Sequence, residues 1–223
     1  MANIIEGISR FPNDIFRSHQ ILFWRHCSGQ QRRTLLITCS DSRFVPSMLT
    51  QSGPGDLVVL RSAGNLVPHY GVDGTSDDRA AAETIENAME ELKVRDAIIC
   101  GHSRCQAMQA VMQPSRLGRM PARRRHLATV NVEYCLAELE RDGIEDHTQR
   151  LRAVVEENVL VQMANLATHP AVAMAVKEQR LTIHGRVYHF ESGRVDAYSA
   201  DHGSFVPITR AADKLSATVT RVA

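Results

Sequence analysis

The stretch Thr34-Leu35-Leu36-Ile37-Thr38 decides the fold class. It is short, apolar and rich in β-branched residues, which reads as a strand buried on both faces. It runs directly into Cys39-Ser40-Asp41-Ser42-Arg43. A second run of the same kind, Asp96-Ala97-Ile98-Ile99-Cys100, leads into Gly101-His102-Ser103-Arg104-Cys105. Between them, Leu57-Val58-Val59-Leu60 follows the turn Gly53-Pro54-Gly55-Asp56 and reads as a third buried strand.

Helical periodicity fills the intervals. Asn3 to Cys27 is helical in pattern, and Pro12 divides it into two helices. Pro46 to Gln51 suits one or two helical turns, and Gly64 to Ser76 reads as a loop. Ala82, Ile85, Met89 and Leu92 share one helical face after a cap at Ser76 or Asp77. The pattern predicts a helix over Ser103 to Met112, stopped by Pro114, and longer ones over Ala122 to Glu140 and Glu145 to Ala167. Leu151, Val155, Val159, Met163 and Leu166 form a stripe in the last of these, and Pro170 starts a short helix. Leu181 to Phe190 and Val195 to Tyr198 close the chain as strands around Glu191-Ser192-Gly193.

Buried strands alternating with helices predict an α/β domain with a mostly parallel central sheet flanked by helices. Sites in such sheets form beyond the C-terminal ends of strands, where Cys39 and His102 both fall. No repeat or linker interrupts the chain. The reading is one domain over residues 1–223, with a helical arm over 1–30 and a tail over 200–223.

The formal net charge of +1 argues against general nucleic-acid binding, which needs a basic surface. No apolar run reaches the ~18 residues of a membrane span. Met1 to Arg10 lacks the apolar core of a secretory signal, so a cytoplasmic location is expected. The five cysteines, Cys27, Cys39, Cys100, Cys105 and Cys135, are odd in number and widely spaced, unlike a disulfide framework. Cys27, Cys100 and Cys135 are expected to be small buried apolar side chains.

Cys39, His102 and Cys105 together offer two thiolates and an imidazole. That set suits Zn2+ with its fourth position open. His102 and Cys105 stand three apart at an expected strand-to-helix turn, and Cys39 joins them only if its strand is a neighbour. By themselves, His102 and Cys105 can equally be packed core residues. Asp41 and Arg43, two apart, can form a bidentate pair that holds the carboxylate ionised beside a metal, or a purely structural ion pair in a turn. Other nucleophile patterns are absent: Val45 stands where a cysteine-phosphatase loop needs Arg, and the chain has no C-x-x-C, G-x-S-x-G or phosphate-loop motif.

Cys-Ser-Asp-Ser-Arg followed by Gly-His-Ser-Arg-Cys resembles the β-class carbonic anhydrases. The resemblance extends through Thr50-Gln51-Ser52, Gly55-Asp56-Leu57 and Arg61-Ser62-Ala63-Gly64-Asn65. It continues in Glu157-Asn158-Val159-Leu160, Asn165-Leu166, His184-Gly185 and Tyr188. It covers residues 3 to 200 and looks closest to the cyanobacterial, carboxysome-associated branch. It implies that Cys39, His102 and Cys105 bind zinc and that a zinc-bound hydroxide converts carbon dioxide to bicarbonate and a proton. Asp41 and Arg43 would orient the water, or Asp41 would itself ligate zinc in a closed resting form. The resemblance also implies a homodimer or larger homo-oligomer, N-terminal helices packed on the partner, and a carboxysomal partner and location. Arg61 and Tyr188 match two positions of a bicarbonate inhibitory site, whose Trp is replaced here by Leu36.

The chain departs from the family pattern at several places. Gln106 stands where Gly is usual, and a side chain there can crowd the metal pocket or remove a close backbone approach. Ser62 replaces Asn, Arg186 replaces an aromatic residue, and the loop Val72 to Arg79 is longer. These changes motivate two alternatives: a zinc hydrolase of carbonyl sulfide or carbon disulfide, and a low-activity zinc-binding scaffold or regulatory paralogue. Arg116, Arg119, Arg123, Arg124 and Arg125 form an acid-free basic run, read as a solvated helix face or an intersubunit ion-pair partner, or as a dock for an anionic partner or metabolite.

Overall fold

The computed structural model describes residues 2–27, 34–71, 76–118, 120–130 and 132–208. Its strands are β1 (Thr34–Cys39), β2 (Leu57–Ser62), β3 (Asp96–His102), β4 (Thr182–Tyr188), β5 (Val195–Ser199) and β6 (Ser204–Pro207). They form one six-stranded sheet in the order β2-β1-β3-β4-β5-β6. The first four strands of that order are parallel, and β5 and β6 add antiparallel at one edge. β1 is buried from Leu35 to Cys39 because it lies between β2 and β3, with side chains covered on both faces. Pairing of Leu35 with Ala97 and of Thr38 with Cys100 brings the C-terminal ends of β1 and β3 side by side. The Thr38 hydroxyl donates to the Cys100 carbonyl across the two strands at 3.0 Å, so this buried polar group is satisfied.

The helices are α1 (Ala2–Phe11), α2 (Gln20–Cys27), α3 (Pro46–Thr50), α4 (Ser76–Glu90), α5 (Gln106–Met112), α6 (Pro121–Leu127), α7 (Glu133–Arg141), α8 (His147–Ala167) and α9 (Pro170–Lys177). Asp146 caps α8 by accepting the Gln149 N–H at 2.7 Å. α8 then crosses β3 and β4, and its expected stripe is buried throughout. It packs directly against Gly101 and Gly185. A Cβ at Gly101 would lie 2.9 Å from Val159 Cγ2, and one at Gly185 would lie 2.7 Å from Met163 Sδ. Two bare backbone positions therefore allow the helix to approach the sheet. No helix among the described residues is long and apolar enough to cross a membrane.

Pro12 ends α1 at Phe11 and α2 begins only at Gln20, so the arm is two α-helices as expected. Between them the path stays helical through a wide π-type turn over Pro12–Phe16 and a 3-10 turn over Arg17–His19, which absorb the missing proline N–H. Several boundaries differ from expectation for identifiable reasons. The expected helix from Ser103 starts only at Gln106, because Arg104 is left-handed (φ 54°) and Cys105 is extended. The expected helix over Ala122 to Glu140 is two, α6 and α7. The chain leaves the helix at β-branched Thr129, Val130 and Val132, and the Thr129 hydroxyl caps back to the His126 carbonyl. Within the expected tail, Ser204 to Pro207 is strand β6. The arm Ala2 to Cys27 leaves Ile4, Ile5, Ile8, Phe11, Ile15 and Trp24 exposed.

Candidate metal centre

β1 ends on Cys39, β3 ends on His102, and the turn after β3 returns Cys105 to the same point. The Cys39 and Cys105 sulfurs are 4.0 Å apart. Each of the three residues offers a ligand atom within 4.8 Å of the others. All three are buried, at 5% exposure for Cys39, 0% for His102 and 1% for Cys105. His102 Nδ1 lies 2.8 Å from the Ser103 carbonyl, so Nδ1 carries the proton and donates it. Nε2 is left as a bare lone pair, buried and without a hydrogen-bond partner. An orphaned imidazole nitrogen beside two sulfurs is costly unless a cation completes it. Two thiolates at ~2.3 Å from a tetrahedral zinc would stand roughly 3.8 Å apart, close to the spacing seen here. The residues fit Zn2+.

Cys39 is pulled below the usual thiol range by its hydrogen bond with Cys105, against burial and with smaller help from the Gly64 N–H. Cys105 is pushed up by the same hydrogen bond and by burial. The Gly64 N–H lies 3.4 Å from the Cys39 sulfur. Of the other cysteines, Cys100 is buried as expected, and burial drives its thiol up to about 12, which leaves it inert. Cys135 is only half-buried, on α7. The Cys27 side chain lies outside the described residues.

The Arg43 guanidinium grips Asp41 through Nε to Oδ1 at 3.0 Å and Nη2 to Oδ2 at 2.7 Å, and the Arg43 backbone N–H also donates to Oδ1. These bonds hold the Asp41 carboxyl at about 2, against burial that alone would raise it. Both carboxylate oxygens are engaged by Arg43, and Asp41 stands outside the three-ligand cluster found among the described residues. Arg43 lies over the Phe190 ring at 4.7 Å. Phe190 and Phe44 in turn pack on the His102 ring, at 5.0 and 6.3 Å between centroids.

The Arg61 guanidinium is engaged by backbone carbonyls. Its Nε and Nη2 donate to the Cys39 carbonyl, and Nη2 also reaches the carbonyls of Asp41 and Phe44 at 2.7 and 3.0 Å. It clamps the loop that carries the metal-side residues. Tyr188 packs edge-on against Phe44 and Phe190 and lines a cavity of about 330 Å³ with Arg43, Phe44 and Met48, which Arg61 does not line. Gln106 does not crowd the cluster. It is exposed because it opens α5, whose next residues Ala107 and Met108 take the inward face. The obstruction behind the scaffold and altered-substrate readings is therefore not there. Arg123 donates to the Gln106 carbonyl at 3.0 Å, whereas Arg124 and Arg125 are exposed. The Arg116 side chain, Arg119 and the long loop over residues 72–75 lie outside the described residues.

One supporting network escaped sequence reading. Asn158 Nδ2 donates to the Gly64 carbonyl at 2.9 Å, and Gln162 Oε1 accepts the Val67 N–H at 2.8 Å. Asn165 donates to the Val67 carbonyl at 3.0 Å, and His169 Nε2 to the Pro68 carbonyl at 2.9 Å. Three residues of α8 and His169, just before α9, hold the loop whose Gly64 N–H meets Cys39. Their spacing of three to four residues was the available signal.

A buried thiolate–imidazole–thiolate cluster at the C-terminal edge of a parallel sheet, flanked by an arginine-held carboxylate, defines a metal-dependent α/β enzyme. The family model described as carbonic anhydrase matches residues 34–195, and the chain belongs to that family, in its β class. A carbonic anhydrase of Pseudomonas aeruginosa is 39% identical over 93% of this chain and 92% of its own length. The solved β-carbonic anhydrase CcaA is 33% identical, with a TM-score of 0.87 over 98% of this chain and 95% of that one. One of two tetrameric β-carbonic anhydrases of Sordaria macrospora is 28% identical, with a TM-score of 0.72 over 92% of this chain and 94% of that one. The chain is thus a carbonate dehydratase, a lyase that hydrates carbon dioxide with Zn2+ as its cofactor.

Proposed function

We propose that Cys39, His102 and Cys105 hold the zinc and that Asp41 and Arg43 form the dyad that orients the water for reversible carbon dioxide hydration. The observation that supports this most is His102 Nε2, buried and without a hydrogen-bond partner, facing two sulfurs. Zinc held there supplies a Lewis acid that makes water a weak acid with a pKa near 7. Asp41, held ionised by Arg43, offers its remaining lone pairs as a hydrogen-bond acceptor to a water at the centre. With a carboxyl at about 2, it orients the water and does not store its proton. Phe44, Phe190 and Tyr188 form an apolar wall on one side of His102 and shield that face from solvent.

Stopped-flow carbon dioxide hydration on reduced protein of measured zinc content tests the reading. Fast turnover with about one zinc per chain is expected. Cys39→Ser and His102→Ala should lose zinc, whereas Asp41→Asn should keep zinc and lose activity ~10²-fold. A zinc-loaded wild type that does not hydrate carbon dioxide, or a fully active Asp41→Asn, would refute it. Hydrogen sulfide release from carbonyl sulfide outpacing hydration would reassign the substrate.

The arm supports a homo-oligomer. Its exposed Ile4, Ile5, Ile8, Phe11, Ile15 and Trp24 make an apolar surface suited to a second copy, and a chain that sediments as a monomer would contradict this. The finer assignment, a cytoplasmic enzyme of the carboxysome-associated branch, rests on motif resemblance. Co-sedimentation with intact carboxysomes tests it.

A further inference from the structure

We infer that Glu191, in the turn between β4 and β5, is a positioning residue of the metal centre: it holds the two residues between His102 and Cys105 in the conformation that brings both ligands together. The inference rests on the zinc site proposed above. Cys105 reaches back to His102 and Cys39 only because Arg104 adopts a left-handed backbone at φ 54°, which costs a non-glycine residue energy and needs outside support.

One carboxylate ties the side chains of both intervening residues. The Ser103 hydroxyl donates to Glu191 Oε2 at 2.7 Å, and Arg104 Nε donates to Oε1 at 2.5 Å. Each oxygen thus serves one of the two intervening residues. Ser103 Oγ also accepts the Phe190 N–H at 2.9 Å, and the Ser103 N–H donates to the Tyr188 carbonyl at 2.8 Å. The same loop therefore delivers Phe190 against His102 and beneath Arg43. The Arg104 carbonyl closes the circuit by accepting from Arg43 Nη2 at 3.4 Å.

Packing does not do this job. Ser103, Arg104 and Glu191 border a cavity of about 450 Å³, whose other wall includes His147, Leu151 and Arg152 of α8. On that side the turn borders the cavity, and the Glu191 bonds are the ones that tie its two side chains together. An isolated pair at 43% exposure of the carboxylate would contribute little to stability. Its contribution here is geometric, because outer-shell partners fix the orientation of metal ligands.

The test is zinc release from the loaded full-length protein into excess chromogenic chelator, for wild type, Glu191→Ala, Glu191→Gln and the remote control Glu138→Ala. Glu191→Ala is expected to release zinc about tenfold faster. Glu191→Gln keeps one acceptor oxygen and should fall between it and wild type. Glu138→Ala, which loses only exposed contacts with Arg141 and Tyr134 on α7, should match wild type. The visible absorption of the cobalt-loaded forms should change for the Glu191 variants alone. Release rates of both Glu191 variants within twofold of wild type would overturn the inference. If Glu191→Ala does not fold, Glu191→Gln decides alone. A wild type that holds no zinc overturns the function reading and this inference together, whereas equal rates in zinc-loaded proteins overturn this inference only.

Discussion

Gly101→Ala places one methyl group where α8 meets β3. The added Cβ would stand 2.9 Å from Val159 Cγ2 and 3.1 Å from Val155 Cγ1. Ordinary carbon contacts need about 3.5–4.0 Å, so helix and strand must separate by roughly 0.5 Å or more. Neither valine can swing aside, because a β-branched side chain in a helix has essentially one χ1 rotamer, and both are buried. Overpacking of this kind costs about 1–3 kcal/mol, offset by about 0.4–1 kcal/mol from the reduced freedom of the unfolded chain. A net loss of about 1–2 kcal/mol follows, which lowers Tm by roughly 2–8 °C for a chain of this size. Thermal unfolding of zinc-loaded protein at one fixed concentration measures it. Val159→Ala removes the nearer obstruction, so adding Gly101→Ala to it should cost little or nothing. A Gly101→Ala chain as stable as wild type, or one whose cost is unchanged in the Val159→Ala background, would refute the reasoning.

Two further outcomes follow from the loops around the centre. Arg61→Lys replaces a planar fork that serves the carbonyls of Cys39, Asp41 and Phe44 with a single ammonium, which cannot reach all of them. Zinc affinity and Tm should both fall, by about 1–2 kcal/mol in stability, and unchanged values in a chelator competition and a melt would refute the clamp. Burial lowers the His169 pKa below its ordinary 6.5, so the unfolded chain takes up the proton more readily than the folded one. The stability this neutral imidazole contributes is complete above pH 6.5 and is lost as pH falls below that value. Melts between pH 7.5 and 5.5 should show a steeper decline for wild type than for His169→Gln, and parallel declines would exclude His169 as the cause.

The central strands were legible because their signal is local. Thr34 to Thr38 and Asp96 to Cys100 are apolar and β-branched over the length of a strand, and solvent exclusion on both faces of a parallel sheet demands that composition. Cys39, Asp41, Arg43, His102 and Cys105 could be singled out for the same reason: they cluster within a few residues of those strand ends, and their chemistry is carried by their identity. What sequence could not supply was adjacency. Only the order β2-β1-β3-β4 makes Cys39 a neighbour of His102, and that order depends on the burial of whole faces and not on any residue near the site. The same limit hid Gln106, whose identity suggested obstruction while the helical phase of α5 turned it to solvent. It also hid Arg61 as a loop clamp and Glu191 as the support of a left-handed turn, because each acts on backbone groups or side chains 17 to 88 residues away. Identity and short-range pattern are written along the chain. Which distant groups meet is decided only when the core closes, because only then does each buried carbonyl, N–H and carboxylate have to find its partner.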